Sequence, residues 1–278
     1  MITAVLNGRL GNWLFQYAAA RSLALDRSTD VSLEVSRYTS WRHPFAGPVR
    51  RALGFFSLQA RYTRGNRHAA GHSENGWGYD PRFHELPGAT SLRGYFQSPR
   101  YWRGHEATIR ADLQPSRLPG EREFESLVSD IEHSVSVALH VRRGDYLTTE
   151  RELHFVCTDA YYAQALDHIR ERVSDARVFV FSDDPAWCRS RYTDSAQVVE
   201  LAASQTEPGL DLHLMSRCKH HIISNSTYSW WGAWLGTHGG QIVCAPERWF
   251  NDDAMNALAM RDTVPAAWHR IPLELQPA

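Results

Sequence analysis

The spacing of hydrophobic positions predicts alternating strands and helices from the first residues onward. Ile2 to Leu6 are apolar and β-prone, and Asn7 to Gly11 break this run before a long helical stretch from Asn12 to about Asp26. Val31 to Val35 predicts the next strand. The chain is therefore expected to begin with a strand, a glycine turn, a helix and a second strand.

The region from Trp41 to about Gly88 has no sustained hydrophobic period and is rich in Gly, Pro, Arg and aromatic residues. We interpret it as irregular structure with a few short helices. A further strand is predicted over Ala89 to Phe96, and Ser98-Pro99 is typical of a helix start. The segment Gln114 to Gly120, which contains proline and glycine, is the best candidate for a linker.

Beyond this linker the alternation becomes regular, and Ser182-Asp183-Asp184-Pro185 predicts a capped helix start. Strands that alternate with helices predict a parallel sheet covered on both faces. We expect two α/β halves joined near residues 115 to 130, with a ligand cleft between them at the carboxyl ends of the strands. The predicted strands are Val135–Val141, Arg177–Phe181, Gln197–Leu201, His220–Ser224 and Gln241–Ala245, and the predicted helices include Asp159–Val173, Asp211–Cys218 and Thr227–Leu235.

Composition and charge exclude several classes of protein. Hydrophobic residues make up 43% of the 278 residues, enough for one large core or two modest ones, which argues against disorder. The formal net charge of -1 provides no global field for a polyanion, so nucleic-acid binding is not expected. Lys219 is the only lysine among 30 basic residues, so an anion site would use arginine, although coding bias explains the composition equally well.

Cysteine spacing and hydropathy bear on the cellular compartment. Cys157, Cys188, Cys218 and Cys244 lie far apart and form no C-x-x-C pair, which favours neither a zinc ribbon nor a disulfide scaffold. The first residues resemble no signal peptide, and no run of about 18 apolar residues occurs. We therefore expect a cytoplasmic protein whose membrane contact, if any, is peripheral at the inner face.

The strongest chemical signal is the segment Leu139 to Tyr146, where two arginines, a glycine and an acid follow a predicted buried strand. Open α/β sheets bind ligands at such strand ends. Because side chains alternate along a strand, His140 and Arg142 share one side and Arg143 lies on the other. We predict Arg142 as the anion ligand and expect Arg143 to pair internally, for example with Asp145. A purely structural salt bridge is the alternative.

The second signal is the stretch His220 to Trp234, a strand that runs into a small polar turn and then a helix. Ser226 and Thr227 would place hydroxyls and unpaired backbone N–H groups at a helix N-terminus, where phosphate is favoured. An ordinary helix cap explains both residues equally well. The three tryptophans are expected in the core. Asn225 also begins an N-glycosylation sequon, which we interpret as accidental.

Asp211 opens the predicted helix before that strand. Its carboxylate is suited to accept hydrogen bonds from N1 and N2 of a guanine, but interaction with the helix dipole explains an acid there equally well. No D-x-D or H-E-x-x-H motif occurs, so a bound diphosphate would be neutralised by Arg142 and helix dipoles, and we expect no metal requirement. The turn Gly8 to Gly11 lacks the dinucleotide fingerprint G-x-G-x-x-G.

Three segments together resemble the motif set of the inverting α-1,2-fucosyltransferases, glycosyltransferase family 11. The segments occur in the family's order over most of the chain. The resemblance implies a GT-B type fold of two Rossmann-like halves, with an acceptor-side domain over residues 1–120 and a GDP-fucose-binding domain over 121–278. The matching segments are Gly8 to Ala18, His140 to Tyr146 and Ser224 to Leu235, with a less specific fourth over Phe179 to Trp187.

The resemblance implies transfer of L-fucose from GDP-β-L-fucose to the 2-hydroxyl of a terminal galactose, with inversion, on a cell-surface glycan or bacterial O-antigen. Another linkage, such as α-1,6, is the alternative. Trp13 and Leu14 stand where relatives often carry Gln-Met, which leaves the acceptor open. By the same resemblance, Arg142 would hold the donor diphosphate and Asp211 would read guanine, and the other expected donor contacts are His140, Asn225, Ser226, Thr227, Gly11 and Asn12.

Inverting displacement through an oxocarbenium-like state needs stabilisation of the leaving GDP, which Arg142 and the helix start at Ser226 would supply. For the general base we select Asp145, with an ion pair to Arg143 as its alternative. The other candidates are Glu150, His154, Glu34 and Glu74.

Two rival classes are weaker. A sugar-nucleotide dehydrogenase or epimerase would need the absent glycine fingerprint and a Tyr-x-x-x-Lys pair. A sugar-binding module is favoured by ten tryptophans but disfavoured by the arginine-led anion site.

Overall fold

The computed structural model describes residues 1–39, 47–65, 70–192 and 195–273. The chain divides into two compact units. Unit 1 comprises Met1–Leu118 together with Arg261–Thr263, and unit 2 comprises Pro119–Met260 and Val264–Ala278. No feature of the sequence pattern indicated that residues 261–263 belong with the N-terminal unit.

Unit 1 is built on a five-stranded sheet in which every strand pair is parallel. The strand order is β3-β2-β1-β5-β4. Its elements are β1 (Ile2–Val5), α1 (Leu10–Asp26), β2 (Val31–Glu34), α2 (Gly47–Gly54), β3 (Ala60–Thr63), β4 (Ala70–Ser73), β5 (Thr90–Arg93) and α3 (Glu106–Asp112).

In the described part of Trp41 to Gly88, the predicted short helices are confirmed by α2 and a 3-10 helix over Pro81–Glu85, but the prediction missed the strands β3 and β4. β3 and β4 are the edge strands of the sheet, and each is only four residues long. An edge strand packs on few neighbours, so its sequence lacks the buried apolar run that identifies a strand. Residues 41–46 and 66–69 of the same prediction lie outside the described residues.

Unit 2 contains a six-stranded sheet, again with parallel pairs throughout, in the order β11-β10-β9-β6-β7-β8. The predicted parallel α/β fold is therefore confirmed. The elements after α3 are α4 (Arg122–Glu132), β6 (Val135–Val141), α5 (Asp159–Arg170), β7 (Ala176–Ser182), α6 (Pro185–Arg191), β8 (Gln197–Val198), α7 (Gly209–Arg217), β9 (His220–Ile222), α8 (Thr227–Leu235), β10 (Val243–Pro246), α9 (Asp253–Asp262) and β11 (His269–Ile271).

Every residue of β6 after Val135 is buried, and the strand forms part of the core of unit 2. Leu139 and Val141 pack with Tyr161 and Ile169 of α5 in one apolar cluster. Trp230 and Trp231 of α8 are fully buried, as expected, whereas Trp234 is only half-buried. The four cysteines are free and buried, which fits the absence of a predicted disulfide scaffold. Within the described ranges, no helix has the length and apolar character needed to cross a membrane.

In each sheet the chain leaves a central strand in one direction and later returns to its other side. β1 lies between β2 and β5, and β6 lies between β7 and β9. The carboxyl ends of β1 and β5 in unit 1, and of β6 and β9 in unit 2, are therefore topological switch points, where open α/β sheets bind ligands. The two motif segments of the C-terminal half follow β6 and β9.

Candidate functional site

Arg142 follows β6 and holds two carboxylates. Its Nη2 lies 2.5 Å from Oδ1 of Asp145, and its Nη1 lies 3.1 Å from Oδ2 of Asp183. Asp145 reaches back to the arginine because it begins a short 3-10 turn, Asp145–Leu147. The guanidinium is thereby fixed at the carboxyl end of the central strand.

Arg143 faces a different neighbour. Its Nε lies 3.2 Å from Oδ2 of Asp184, and its guanidinium carbon lies 4.1 Å from the ring centre of Trp187. The expected pair between Arg143 and Asp145 is therefore wrong. Alternation along the strand turns Arg143 toward α6, while Asp145 pairs with Arg142. The prediction that Arg143 pairs internally is confirmed.

Asp183 is a site residue that the sequence analysis missed. Besides its contact with Arg142, its carboxylate accepts the backbone N–H of Arg143 at 2.9 Å. A Cβ added to Gly144 would lie 2.5 Å from Oδ2 of Asp183, so any other residue there would displace this carboxylate. The sequence assigned Ser-Asp-Asp-Pro to a helix cap, and Asp184 alone makes that cap. The available signal was that Ser-Asp-Asp-Pro contains one acid more than the helix cap needs, at the end of a strand.

His140 is buried and joins the ends of β6 and β9. Its Nδ1 lies 2.9 Å from Oγ of Ser224. Burial, and after it the charge of Arg142, lower the pKa of His140 to about 3. The imidazole is therefore uncharged at neutral pH and adds no positive charge for a diphosphate.

The start of α8 has the expected geometry. Ser226 is its N-cap, and its side chain accepts the backbone N–H of Tyr228 at a long 3.4 Å. Thr227 is half-buried and makes no side-chain hydrogen bond to another described residue. The N–H groups of this first turn provide donors for an anion.

Asn225 links three loops at the same end of the sheet. Its backbone oxygen accepts from the Tyr146 hydroxyl at 2.9 Å, and its Oδ1 accepts from Sγ of Cys157 at 3.7 Å. Its Nδ2 donates to the backbone oxygens of Phe155 and Trp249, each at 3.2 Å. Asn225 is 1% exposed and its side chain is hydrogen-bonded within the interior, while its contact with the donor stays a prediction.

Tyr146 lies between Arg142 and Asn225. The guanidinium carbon of Arg142 lies 5.5 Å from its ring centre, and the ring of His154 stacks on it at 4.5 Å and 8°. Burial raises the pKa of Tyr146, so its hydroxyl remains protonated and donates. One phenol thus connects the arginine loop to the turn before α8.

Asp211 occupies the first turn of α7, and its carboxylate accepts a hydrogen bond from the hydroxyl of Ser204. Burial raises the pKa of Asp211, against the opposing effect of this hydrogen bond. No second donor to the carboxylate occurs among the described residues. Tyr228 lies beside it, with its ring 5.8 Å from that of His140 and its hydroxyl bonded to the backbone oxygen of Pro208.

Gly11 and Asn12 lie in unit 1, in the first turn of α1 after β1. Oδ1 of Asn12 accepts from Nε2 of Gln97 at 3.0 Å. Gly8 has a φ of 79°, and a Cβ there would lie 2.3 Å from Nδ2 of Asn12. The glycine turn therefore lets the chain pass close to Asn12. Across the described ranges, no group of three or more His, Cys, Asp or Glu side chains is arranged to hold a metal ion.

The two units have the fold class of GT-B glycosyltransferases. A solved structure of the NodZ alpha-1,6-fucosyltransferase, soaked with GDP-fucose, matches this chain with a TM-score of 0.51. The match covers 84% of this chain and 91% of that one at 15% identity. The expected GT-B type fold is confirmed.

Residues 78–271, most of the chain, match the family described as Glycosyl transferase family 11. The chain belongs to this family and is a glycosyltransferase, as the resemblance implied. It is 29% identical to the alpha-1,2-colitosyltransferase of Escherichia coli, over 98% of this chain and 99% of that protein. It is 28% identical to the galactoside 2-alpha-L-fucosyltransferase Sec1 of Mus musculus, over 87% of this chain and 66% of that protein.

A third relative is similar over a shorter range. The O-antigen biosynthesis glycosyltransferase WbnK of Escherichia coli is 38% identical over 46% of this chain and 44% of its own length.

Proposed function

We propose that this chain transfers L-fucose from GDP-β-L-fucose to the 2-hydroxyl of a terminal galactose, with inversion and without a metal. The observation that carries the proposal is the fixed guanidinium of Arg142 at the carboxyl end of β6, beside the N-terminus of α8. The similarity to α-1,2-linking transferases supports the donor class and the linkage. The name of WbnK supports an acceptor among O-antigen glycans.

Arg142 is suited to a diphosphate. A guanidinium has five N–H donors, and the contacts with Asp145 and Asp183 use two of its nitrogens. The remaining donors, together with Thr227 and the N–H groups at the start of α8, form a site for the negative charge that develops on GDP. Gly11 and Asn12 remain proposed donor contacts from the glycine turn of unit 1.

Asp145 is better suited to orient Arg142 than to remove a proton. Its carboxylate lies 2.5 Å from Nη2 of Arg142, so the guanidinium already occupies an oxygen that would otherwise accept the proton. We therefore propose that Asp145 acts through Arg142, as a refinement of the role expected from the sequence. Ser226 holds the helix start, and uncharged His140 connects the two strand ends.

Transfer of colitose is a second candidate. Colitose is the 3-deoxy counterpart of L-fucose, and the relative that is similar over 98% of this chain is a colitosyltransferase. A GDP-colitose donor would present the same diphosphate as GDP-fucose, so the argument for Arg142 applies equally to the two donors. The distinction lies in whether a side chain binds the 3-hydroxyl.

The test is transfer to lactose from GDP-fucose, GDP-colitose or a UDP-sugar, with and without EDTA. We expect an α-1,2-linked fucosyl product by mass spectrometry and NMR, unchanged by EDTA. Activity that disappears on chelation and returns with manganese would overturn the metal-free mechanism, and a β-linked product would overturn inversion. Product from GDP-colitose alone would select the second candidate.

Arg142→Lys and Arg143→Lys form a matched pair for the same assay. One ammonium cannot reproduce the fork of a guanidinium, so Arg142→Lys should weaken GDP binding by about one to two decades without changing the melting temperature. Arg143→Lys should lower the melting temperature and preserve transfer, because Arg143 packs on Trp187. A loss of GDP affinity confined to Arg143→Lys would contradict the assignment.

A further inference from the structure

The carboxyl ends of β1 and β5 form the switch point of unit 1, where Asn7 and Tyr95 provide polar side chains without charge. We propose that this end of unit 1 binds the acceptor as a neutral saccharide, through Tyr95 and Asn7, with Glu74 as the positioning residue. The inference rests on the proposed function, because it assigns the site of the second substrate.

The segment after β5 has an unusual backbone. Gly94 has a φ of 155°, and Phe96, a buried residue other than glycine, has a φ of 51°. A bulky aromatic residue with positive φ is strained, and such strain persists where the surrounding structure holds a segment for function. Tyr95 lies between these two residues.

Glu74, just after β4, holds this segment in place. Its Oε2 accepts the backbone N–H groups of Tyr95 at 2.6 Å and Phe96 at 2.9 Å. Its Oε1 accepts from the hydroxyl of Tyr101 at 3.3 Å. A Cβ on Gly94 would lie 2.4 Å from Cβ of Glu74, so the two chains approach closely. These contacts make Glu74 a positioning residue rather than the general base considered from the sequence.

Gln16 of α1 fixes the end of β1 against the end of β5. Its Oε1 accepts the backbone N–H of Asn7 at 3.0 Å, and its Nε2 donates to the backbone oxygen of Gly94 at 2.8 Å. Gln16 is 1% exposed, so both hydrogen bonds are shielded from water. The two segments that carry Asn7 and Tyr95 are thus held in one arrangement before any ligand binds.

The side chains presented there suit an uncharged sugar. Nδ2 of Asn7 donates to the Tyr95 hydroxyl at 3.1 Å, and no described residue accepts that hydroxyl's own proton. The Tyr95 ring stacks on Trp77 at 5.0 Å and 8°. Asn7 and Tyr95 are half-buried. A phenol, an amide and an aromatic pair offer hydrogen bonds to hydroxyl groups and an apolar surface for a sugar ring.

The test compares Tyr95→Phe with Tyr62→Phe in transfer from GDP-fucose to lactose. Tyr62 is a half-buried tyrosine on the edge strand β3, so it controls for loss of a phenol elsewhere in unit 1. We expect Tyr95→Phe to raise the KM for lactose about tenfold, as for loss of one hydrogen bond. The KM for GDP-fucose, its hydrolysis without acceptor and the melting temperature should stay unchanged, and Tyr62→Phe should alter none of them.

Glu74 is tested by rescue. Glu74→Gln keeps an oxygen for the two backbone N–H groups, so it should retain a lactose KM close to that of the unaltered chain. Glu74→Ala removes that acceptor and should raise the lactose KM more than Tyr95→Phe does. If Glu74→Ala fails to fold, Asn7→Ala gives a second reading of the same site, with a raised lactose KM expected.

The outcomes separate this inference from the proposed function. If the unaltered chain transfers sugar but Tyr95→Phe and Asn7→Ala leave the lactose KM unchanged, the acceptor site is wrong and the function stands. An equal rise in the KM of donor and acceptor would also overturn it. If neither GDP-fucose nor GDP-colitose supports transfer, the proposed function fails. The inference is then tested alone by NMR: lactose binding that is lost on Tyr95→Phe supports it, and the absence of lactose binding overturns it.

Discussion

Asp211 shows how burial at one residue affects both binding and stability. Its carboxylate accepts one hydrogen bond, from Ser204, and burial raises its pKa despite that bond. A raised folded-state pKa means that the protonated form stabilises the fold at low pH, and that this stability is lost as the pH rises through the unfolded and folded pKa values. Among the described residues the buried carboxylate accepts a side-chain hydrogen bond from Ser204 alone and can accept more, which suits a guanine ligand.

Asp211→Asn should separate the ligand role from a structural one. The amide keeps the shape and an acceptor for Ser204 but opposes one donor of guanine with another donor. We expect GDP affinity to fall by about one to two decades, from a penalty of roughly 1 to 3 kcal/mol, with a smaller loss for inosine diphosphate. The melting temperature at pH 7.5 should stay constant or rise, because a poorly solvated charge has been removed.

Calorimetric titration with both nucleotides and thermal unfolding provide the measurements. Equal losses for GDP and inosine diphosphate, accompanied by a lower melting temperature, would return Asp211 to an interaction with the helix dipole.

The bounds of a helix or strand were predicted accurately where residues within that element determine them. β6 and α8 have the predicted bounds, Val135–Val141 and Thr227–Leu235, because a long apolar run and a serine cap are local features. The edge strands β3 and β4 were missed because neighbouring strands stabilise them. The site shows the same division, since Arg142 was visible at a strand end whereas the role of Asp183 depends on β7 lying beside β6.

The loops after β6, β9 and β10 act as one element through Asn225 and Tyr146. The Tyr146 hydroxyl connects the arginine loop to the turn before α8, and replacing Tyr146 with Phe removes this one hydrogen bond. Tyr146→Phe should weaken GDP binding about two- to tenfold, because the net value of one hydrogen bond is about 0.5 to 1.5 kcal/mol.

Tyr161→Phe is the matched control for this prediction. Its hydroxyl is also buried and also donates to a backbone oxygen, that of Ile223, the residue that follows β9. It should lower the free energy of unfolding to a similar extent and leave the GDP dissociation constant unchanged. Equal effects of the two variants on GDP binding would show that Tyr146 contributes stability alone.

For the whole molecule, the two units place different chemistry at equivalent points of their sheets. Unit 2 presents Arg142 and a helix N-terminus, and unit 1 presents Asn7 and Tyr95. The motifs in the sequence indicated the first site because arginine blocks and helix caps have recognisable spacing. Tyr95 had no such signal, and Glu74 was considered only as a general base, since the strained turn that brings them together is visible only in three dimensions.

Stability of the molecule should depend on pH through histidines buried without charge. Burial lowers the pKa of His168 in unit 2 and of five further histidines there, to about 3 for His140 and about 4 for His213 and His221. A lowered folded-state pKa gives stability that is present above the unfolded value, near 6.5, and is lost as the pH falls toward the folded value. The other two are His154 and His220.

The free energy of unfolding should therefore fall between pH 6.5 and 4.5, by about 1.4 kcal/mol per pH unit for each proton bound on unfolding. The raised pKa values of Glu74 and Asp211 oppose this trend, so the histidines must outweigh them. Urea unfolding at a series of pH values measures the slope. His221→Gln should make the slope shallower, and His133→Gln, at an exposed site, should leave it unchanged. Stability that is constant or increases on acidification would show that the carboxylates, not the buried histidines, determine the pH dependence of this protein.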